Sequence, residues 1–180
     1  MDQEELRNGI YSLRTRRFGT VAEIMIKKLE NLDWGDNISH DLNDKKLNKR
    51  IEVKFSTAMR SNKNKITVDN VLEEIFQALD KNRMFKRCEW SIYNFDCNIQ
   101  QVKKKEFDIL YYGIFFSDLV EIFKISTNEI DAAINYSDKQ HAGNEGEGQF
   151  HLNNNTYEYH RNNFFHKNLS YNELFDLFSE

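Results

Sequence analysis

The predicted fold depends on one stretch, SHDLNDKKLNKRIEVKFST at positions 39–57. In its second half apolar residues alternate with polar ones, which is the period-two pattern of a strand with one buried face. This alternation places the side chains of Glu52 and Lys54 on the same face of the strand. The polar residues in the middle of the stretch predict a turn, so that a strand over 37–43 and a strand over 50–57 form a hairpin.

Three polar side chains are expected to meet on this hairpin. Asp41 lies near the end of the first strand, and Glu52 and Lys54 face it from the second. Two carboxylates on adjacent strands can hold a hard divalent cation. A water molecule bound to Mg²⁺ can act as a nucleophile, and a nearby lysine can help deprotonate it or stabilise negative charge on a phosphate.

Two alternatives remain open for these residues. An acidic residue two positions before a lysine arises easily by chance in a chain with 29 acidic residues, so Glu52 and Lys54 also fit a structural ion pair. Asp44 is a second acidic residue upstream of Glu52 and competes with Asp41 for the role of metal ligand. Asp41 is preferred because Asp44 falls in the predicted turn.

The hairpin resembles the active-site hairpin of the PD-(D/E)xK nuclease superfamily, in particular that of its short type II restriction endonucleases. The resemblance implies that Asp41 and Glu52 bind Mg²⁺ and that the main-chain carbonyl of Val53 is a further ligand. It also implies that Lys54 serves the attacking water. Residues 19–57 carry the resemblance.

Two positions before the second strand bear on the same resemblance. Glu23 is similar to an acidic residue that the family often has on the helix before the hairpin, which implies a place for Glu23 in the catalytic site. Position 40 is a departure, because His40 stands where the family name leads one to expect proline. That proline is commonly replaced in the family.

The resemblance implies an α/β fold with a restriction-endonuclease-like central mixed β-sheet flanked by helices, in one domain over residues 1–180. The implied function is that of a Mg²⁺-dependent type II site-specific deoxyribonuclease, which hydrolyses phosphodiester bonds in double-stranded DNA at a short recognition sequence. A homodimer is expected because two-fold symmetry matches a palindromic site. Such a restriction enzyme would have a cognate DNA methyltransferase encoded nearby.

Two other functions fit the same residues. The chain could be a structure-specific repair nuclease or a junction resolvase of the same superfamily. It could also be a catalytically inactive module that binds DNA or a protein.

The rest of the chain gives coarser signals. Helical periodicity predicts a helix that Thr20 caps, with Glu23 in its first turn, and further helices over 2–16, 68–82, 128–134 and 169–178. Apolar runs predict strands over 89–94, 107–116 and 119–125. Residues 138–157, rich in Gly, Asn and His, show no periodicity and predict a long loop of a kind that is often functional.

Several residues are candidates for DNA contacts. Asn144, Gln149 and His151 lie in the predicted loop, and such side chains can hydrogen-bond to base edges or phosphates. Arg60 and Lys63 follow the Lys54 strand and can flank a DNA backbone. A surface loop and a solvated group of charges explain the same residues.

Composition limits the class of protein. The chain has 180 residues, 39% of them hydrophobic and 30% charged, which is typical of a soluble globular protein. Its longest apolar run, Ile109–Phe116, is too short to span a bilayer, and its acidic start lacks the features of a secretory signal, so a cytoplasmic location is expected. Cys88 and Cys97 are too few for a disulfide framework or a four-ligand zinc site.

The charge is unevenly distributed. Residues 1–105 contain 21 basic and 16 acidic side chains, whereas residues 106–180 contain 4 and 13. The first part can therefore supply a locally basic surface for phosphate groups, although the net charge of the chain is −4.

Overall fold

The computed structural model of the protein describes residues 2–36, 39–62, 64–130, 135–139 and 145–180. Within these ranges the helices are α1 (Gln3–Tyr11), α2 (Thr15–Glu30), α3 (Val71–Gln77), α4 (Asp80–Arg83), α5 (Tyr157–Phe164) and α6 (Tyr171–Ser179). The strands are β1 (Asp33–Trp34), β2 (Leu42–Asp44), β3 (Lys49–Thr57), β4 (Asp96–Val102), β5 (Ile109–Phe115), β6 (Leu119–Ser126), β7 (Ser137–Lys139), β8 (Glu145–Asn153) and β9 (Phe165–Ser170).

The strands form two sheets. The larger has the order β1-β2-β3-β5-β6-β9, with β3 and β5 parallel and all other neighbours antiparallel. The smaller is antiparallel, with the order β4-β8-β7. The prediction of an α/β protein with a mixed central sheet flanked by helices is therefore confirmed.

Both faces of the central sheet are covered. Successive residues of β5 alternate between two hydrophobic clusters: Leu110 and Tyr112 belong to one, and Tyr111 and Phe115 to the other. The cluster of Tyr111 includes apolar residues of α1, α2 and α6. The cluster of Leu110 includes residues of the smaller sheet and Tyr157 of α5.

The same alternation sets the orientation of β3. Ile51 and Val53 are buried in the cluster that includes α2. Glu52 and Lys54 therefore point to the opposite side of the central sheet, towards the smaller sheet. This places the two polar residues of the hairpin on one face, as the sequence predicted.

The predicted hairpin is present. Strands β2 and β3 pair in antiparallel orientation, with Leu42 opposite Ile51 and Asp44 opposite Lys49. The first strand is shorter than predicted and begins at Leu42, so Asp41 lies just before it. Residues 37–38, at the start of the predicted strand, lie outside the described residues.

The first helices differ from the prediction. Helix α1 ends at Tyr11, and α2 begins at Thr15 rather than near Thr20. Thr20 lies inside α2, where its hydroxyl donates to the carbonyl of Arg16 at 3.3 Å instead of capping the helix. Glu23 therefore lies in the middle of a long helix and not in its first turn. The helix begins earlier because the packing of its apolar side chains outweighs the local cap signal at Thr20.

Three predicted elements in the middle of the chain are wrong or altered. The predicted strand 89–94 is not formed: Glu89 is the last residue of a 3₁₀ turn, Arg87–Glu89, and turns follow it. The Asn154 amide donates to the carbonyls of Trp90 and Tyr93 in this turn region. The predicted helix 68–82 is divided into α3 and α4, neither of which has a buried residue. The predicted loop 138–157 contains β8, which pairs with β4.

The C-terminal part follows the sequence more closely. The predicted strands 107–116 and 119–125 correspond to β5 and β6, which pair in antiparallel orientation. The predicted helix 169–178 corresponds to α6, which Ser170 caps, since its Oγ accepts from the N–H of Glu173 at 3.2 Å. Strand β9 was not predicted. In the predicted helix 128–134 a 3₁₀ turn covers Thr127–Glu129, and residues 131–134 lie outside the described part. The helices described here are all too short or too polar to cross a membrane.

Candidate active site

Three main-chain groups fix the position of Asp41. Its N–H donates to the carbonyl of Ile51 at 3.1 Å, and its carbonyl accepts from the N–H of Gly35 at 2.9 Å. Its carboxylate oxygen Oδ2 accepts from the N–H of Val53 at 2.9 Å. The side chain of Asp41 is therefore held against β3 at Val53, the residue between Glu52 and Lys54 in the sequence.

Gly35 was missing from the predicted site. A Cβ at this position would collide with the carbonyl oxygen of His40, so only glycine allows the close approach that also brings its N–H to Asp41. The imidazole of His40 in turn donates from Nε2 to Asn43 Oδ1 at 2.7 Å. The histidine at this position thus ties the residue before Asp41 to β2.

The structure brings Asp41, Glu52 and Lys54 together. The ammonium of Lys54 contacts Glu52 Oε1 directly and lies 3.9 Å from Asp41 Oδ2. The exposed fraction of each side chain is small: 11% for Glu52, 22% for Asp41 and 24% for Lys54. Two carboxylates and one ammonium therefore share a partly desolvated place beside β3.

This environment shifts the protonation equilibria. Burial raises the pKa of Glu52 to about 7, with a smaller contribution from Asp41, while Lys54 opposes the shift. Burial by itself would lower the pKa of Lys54, but Glu52 and Asp41 outweigh it, and the pKa is raised. Lys54 therefore keeps its charge in spite of its burial.

Two further acidic residues act on the site. Burial raises the pKa of Glu23, and the charge of Asp41 raises it further, so Glu23 on α2 lies within electrostatic reach of the hairpin. Glu106, which the sequence did not single out, raises the pKa of Glu52 by a smaller amount. Glu106 could not be identified from the sequence, because it is brought towards Glu52 only by the parallel pairing of β3 and β5.

The alternative ligand Asp44 has a different role. Its Oδ1 accepts from the N–H groups of Lys46 and Leu47, each at 3.0 Å, and it lies opposite Lys49 at the far end of the hairpin. Asp44 therefore stabilises the turn, and the geometry favours Asp41 as the partner of Glu52.

The donor set suits a hard cation in type. Asp41 and Glu52 offer carboxylate oxygens that already converge on one positive group, the Lys54 ammonium. Among the described residues, no three His, Cys, Asp or Glu side chains are grouped closely enough to hold a metal ion. Mg²⁺ commonly takes only one or two carboxylates and completes its shell with water, so the pair fits it. The Val53 carbonyl as a third ligand stays a prediction.

The predicted DNA contacts are placed unequally. Gln149 is 9% exposed and its Oε1 accepts from Asn98 at 3.2 Å, so it links β8 to β4. His151 is partly exposed, with Nδ1 2.8 Å from Asp96 Oδ1. The guanidinium of Arg60 lies 4.2 Å from the centre of the Tyr93 ring. Lys63 and Asn144 lie outside the described residues, and DNA contacts by all five stay predictions.

Comparison with known proteins gives no relative. No protein-family model matches the chain, and neither a curated protein nor a solved structure matches it. A functional assignment therefore depends on the residues and geometry of the chain itself.

Proposed function

We propose that the protein is a Mg²⁺-dependent deoxyribonuclease of the type II restriction kind, which cuts double-stranded DNA at a short recognition sequence. On this proposal the mixed sheet is a restriction-endonuclease-like fold, and the β2–β3 hairpin is its active site. The protein would act as a homodimer, with one active site for each DNA strand.

One observation carries the proposal: Asp41, Glu52 and Lys54 converge at one partly buried place. An ion pair that served stability alone would need only two of these groups, and burying it is a weak source of stability. A second carboxylate raises the pKa of Glu52 and is held in place by the N–H of Val53. Clusters of charged groups with shifted pKa values are typical of catalytic sites.

Each residue of the cluster has a distinct role in the proposed reaction. Asp41 and Glu52 would hold Mg²⁺, which when bound supplies an activated water and offsets negative charge on the phosphate. Lys54 would place its ammonium beside the scissile phosphate and stabilise the charge that develops in the transition state. Glu23 would act from α2 through its charge on the same group of residues.

Cleavage of a DNA of known sequence tests the proposal. Incubation with Mg²⁺ should give discrete fragments, and sequencing of their ends should reveal one short site; EDTA should stop the reaction. Ca²⁺ should support binding without cleavage, because its looser coordination positions the reacting groups poorly. Fragments that map to branched or damaged DNA would instead indicate a repair nuclease or a resolvase, and no cleavage under any of these conditions would contradict the proposal.

A further inference from the structure

Residues 61–62 and 64–83 belong to an arm that leaves the fold and returns to the same place. At its base Met59 and Met84 form an antiparallel bridge, and the N–H of Arg60 donates to the carbonyl of Arg83 at 2.8 Å. On either side of the base, Ala58 and Phe85 are buried in the same hydrophobic cluster. The arm thus begins directly after β3, the strand that carries Glu52 and Lys54.

The described part of the arm adds no residue to either hydrophobic cluster. Polar contacts hold it in shape instead: the amides of Asn62 and Asn64 donate to the Glu74 carboxylate, and Asn82 donates to the carbonyl of Phe76 at 2.7 Å. These hydrogen bonds are made within the arm, while its large apolar side chains are exposed to solvent.

Six large apolar residues of the arm are exposed. Their exposed fractions are 60% for Ile66, 93% for Val68, 80% for Leu72, 59% for Ile75, 56% for Phe76 and 48% for Leu79. Together they expose an area of roughly 600 Å², taking about 150 Å² for each large side chain. The largest apolar patch on a typical monomer is about 300–600 Å² and is often functional, so this exposed area is at the upper end of that range. A standard interface buries about 800 Å² on each partner, so the patch and its polar rim are large enough for one.

The charge of the arm indicates which partner covers it. Residues 61–83 contain four acidic and four basic side chains, so the arm is neutral. The exposed apolar face, made of five aliphatic side chains and Phe76, carries no charge of its own to attract the phosphates of DNA, which bind basic surfaces. It also does not repel a second copy of itself.

One pair of charges in the arm is self-complementary. Asp69 lies before α3 and Lys81 lies after it, and between them are four of the six exposed apolar residues, Leu72, Ile75, Phe76 and Leu79. In a two-fold contact, residues at equal distances from the axis on opposite sides meet. A two-fold axis near Ile75 would therefore bring Asp69 of each copy towards Lys81 of the other.

We infer that the arm is the surface through which two copies of this chain associate. The inference extends the proposed function, for which a homodimer is expected, but its evidence comes from residues outside the active site. Because the arm follows β3 directly, the contact would couple the two hairpins across the dimer.

Molar mass in solution tests the inference. Light scattering coupled to size-exclusion chromatography should give twice the mass of one chain for the wild type, and half of that value for Leu72→Glu/Phe76→Glu. Both positions are exposed, so the variant should keep the circular dichroism spectrum of the wild type. Ile92→Glu is the matched control, because Ile92 is 70% exposed but lies outside the arm; it should stay dimeric.

The outcomes separate this inference from the proposed function. A wild type with the mass of one chain at every concentration, or an arm variant that stays dimeric, would overturn the inference; a monomeric wild type would point to another protein or to DNA as the partner. A dimer that only the arm variant dissociates would support the inference even if the protein cleaves no DNA. Cleavage by a protein whose arm variant stays dimeric would support the function alone.

Discussion

Replacing Lys54 by methionine should abolish cleavage and also destabilise the fold. The change removes the ammonium that contacts Glu52 and leaves that carboxylate, 11% exposed, without its cation. Removing one partner of a buried ion pair costs about 3–5 kcal/mol. We expect the lower end, about 3 kcal/mol, because Lys54 is 24% exposed and because Glu52, whose pKa is about 7, can take up a proton.

The double variant Glu52→Met/Lys54→Met separates catalysis from stability. Replacing both members of a buried pair by apolar residues is often neutral or stabilising. We therefore expect the double variant to unfold at or above the wild-type temperature, and Lys54→Met to unfold about 6–12 °C lower, at about 2–4 °C for each kcal/mol. Both variants should lose at least about 100-fold in cleavage rate, since an electrostatic contact to the transition state is lost.

Arg50→Met is the matched control on the same strand. Arg50 forms a two-point ion pair with Asp108, but both side chains are more exposed, at 43% and 32%. The variant should lose about 1 kcal/mol or less and should cleave DNA normally. Thermal unfolding and plasmid relaxation are measured on all four proteins. A double variant that is as stable as the wild type and still cleaves would refute a catalytic role for Glu52 and Lys54.

Three further predictions concern other residues. Asp41→Asn should reduce plasmid cleavage at least about 100-fold, whereas Asp44→Asn should cleave normally and lose about 1 kcal/mol from weakened turn hydrogen bonds; the reverse ranking would give Asp44 the ligand role. Burial lowers the pKa of His160 from 6.5 to about 4, so the unfolded state binds more protons in this range, and the free energy of unfolding should fall by up to about 3 kcal/mol between pH 7 and pH 4. His160→Gln should lack that fall in denaturant titrations, and an identical pH profile would contradict the burial argument. His151→Ala should weaken binding to the mapped site by about 1–3 kcal/mol while non-specific binding is unchanged; an unaltered ratio of the two affinities would remove His151 from the DNA-reading residues.

The β2–β3 hairpin could be predicted because the residues that determine it are neighbours in the sequence. Alternation in β3 sets the face of Glu52 and Lys54, and one turn brings Asp41 to the same end. The cap of α6 was predictable for the same reason, since Ser170 and Glu173 satisfy each other within one helical turn.

The smaller sheet was missed although strand β8 carries a local signal. Polar residues alternate there with Gly146, Gly148, Phe150 and Leu152, and Phe150 and Leu152 are buried. The two glycines weaken this pattern, and the pairing of β8 with β4, in which Asp96 lies opposite Asn153, joins segments that are distant in sequence. In the arm, by contrast, the sequence signal is present but the burial is not. Its apolar residues have helical spacing, yet their side chains are exposed to solvent. Periodicity shows that an apolar face exists and does not show whether the same chain covers it.

On the proposed function, the cluster of Asp41, Glu52 and Lys54 hydrolyses DNA. The most direct test compares the wild type with Glu52→Met/Lys54→Met on supercoiled plasmid, at equal protein concentration, with Mg²⁺ and with EDTA. We expect linear DNA or discrete fragments from the wild type with Mg²⁺ only, and intact plasmid from the folded double variant. Intact plasmid in every sample, or equal cleavage by both proteins, would contradict it.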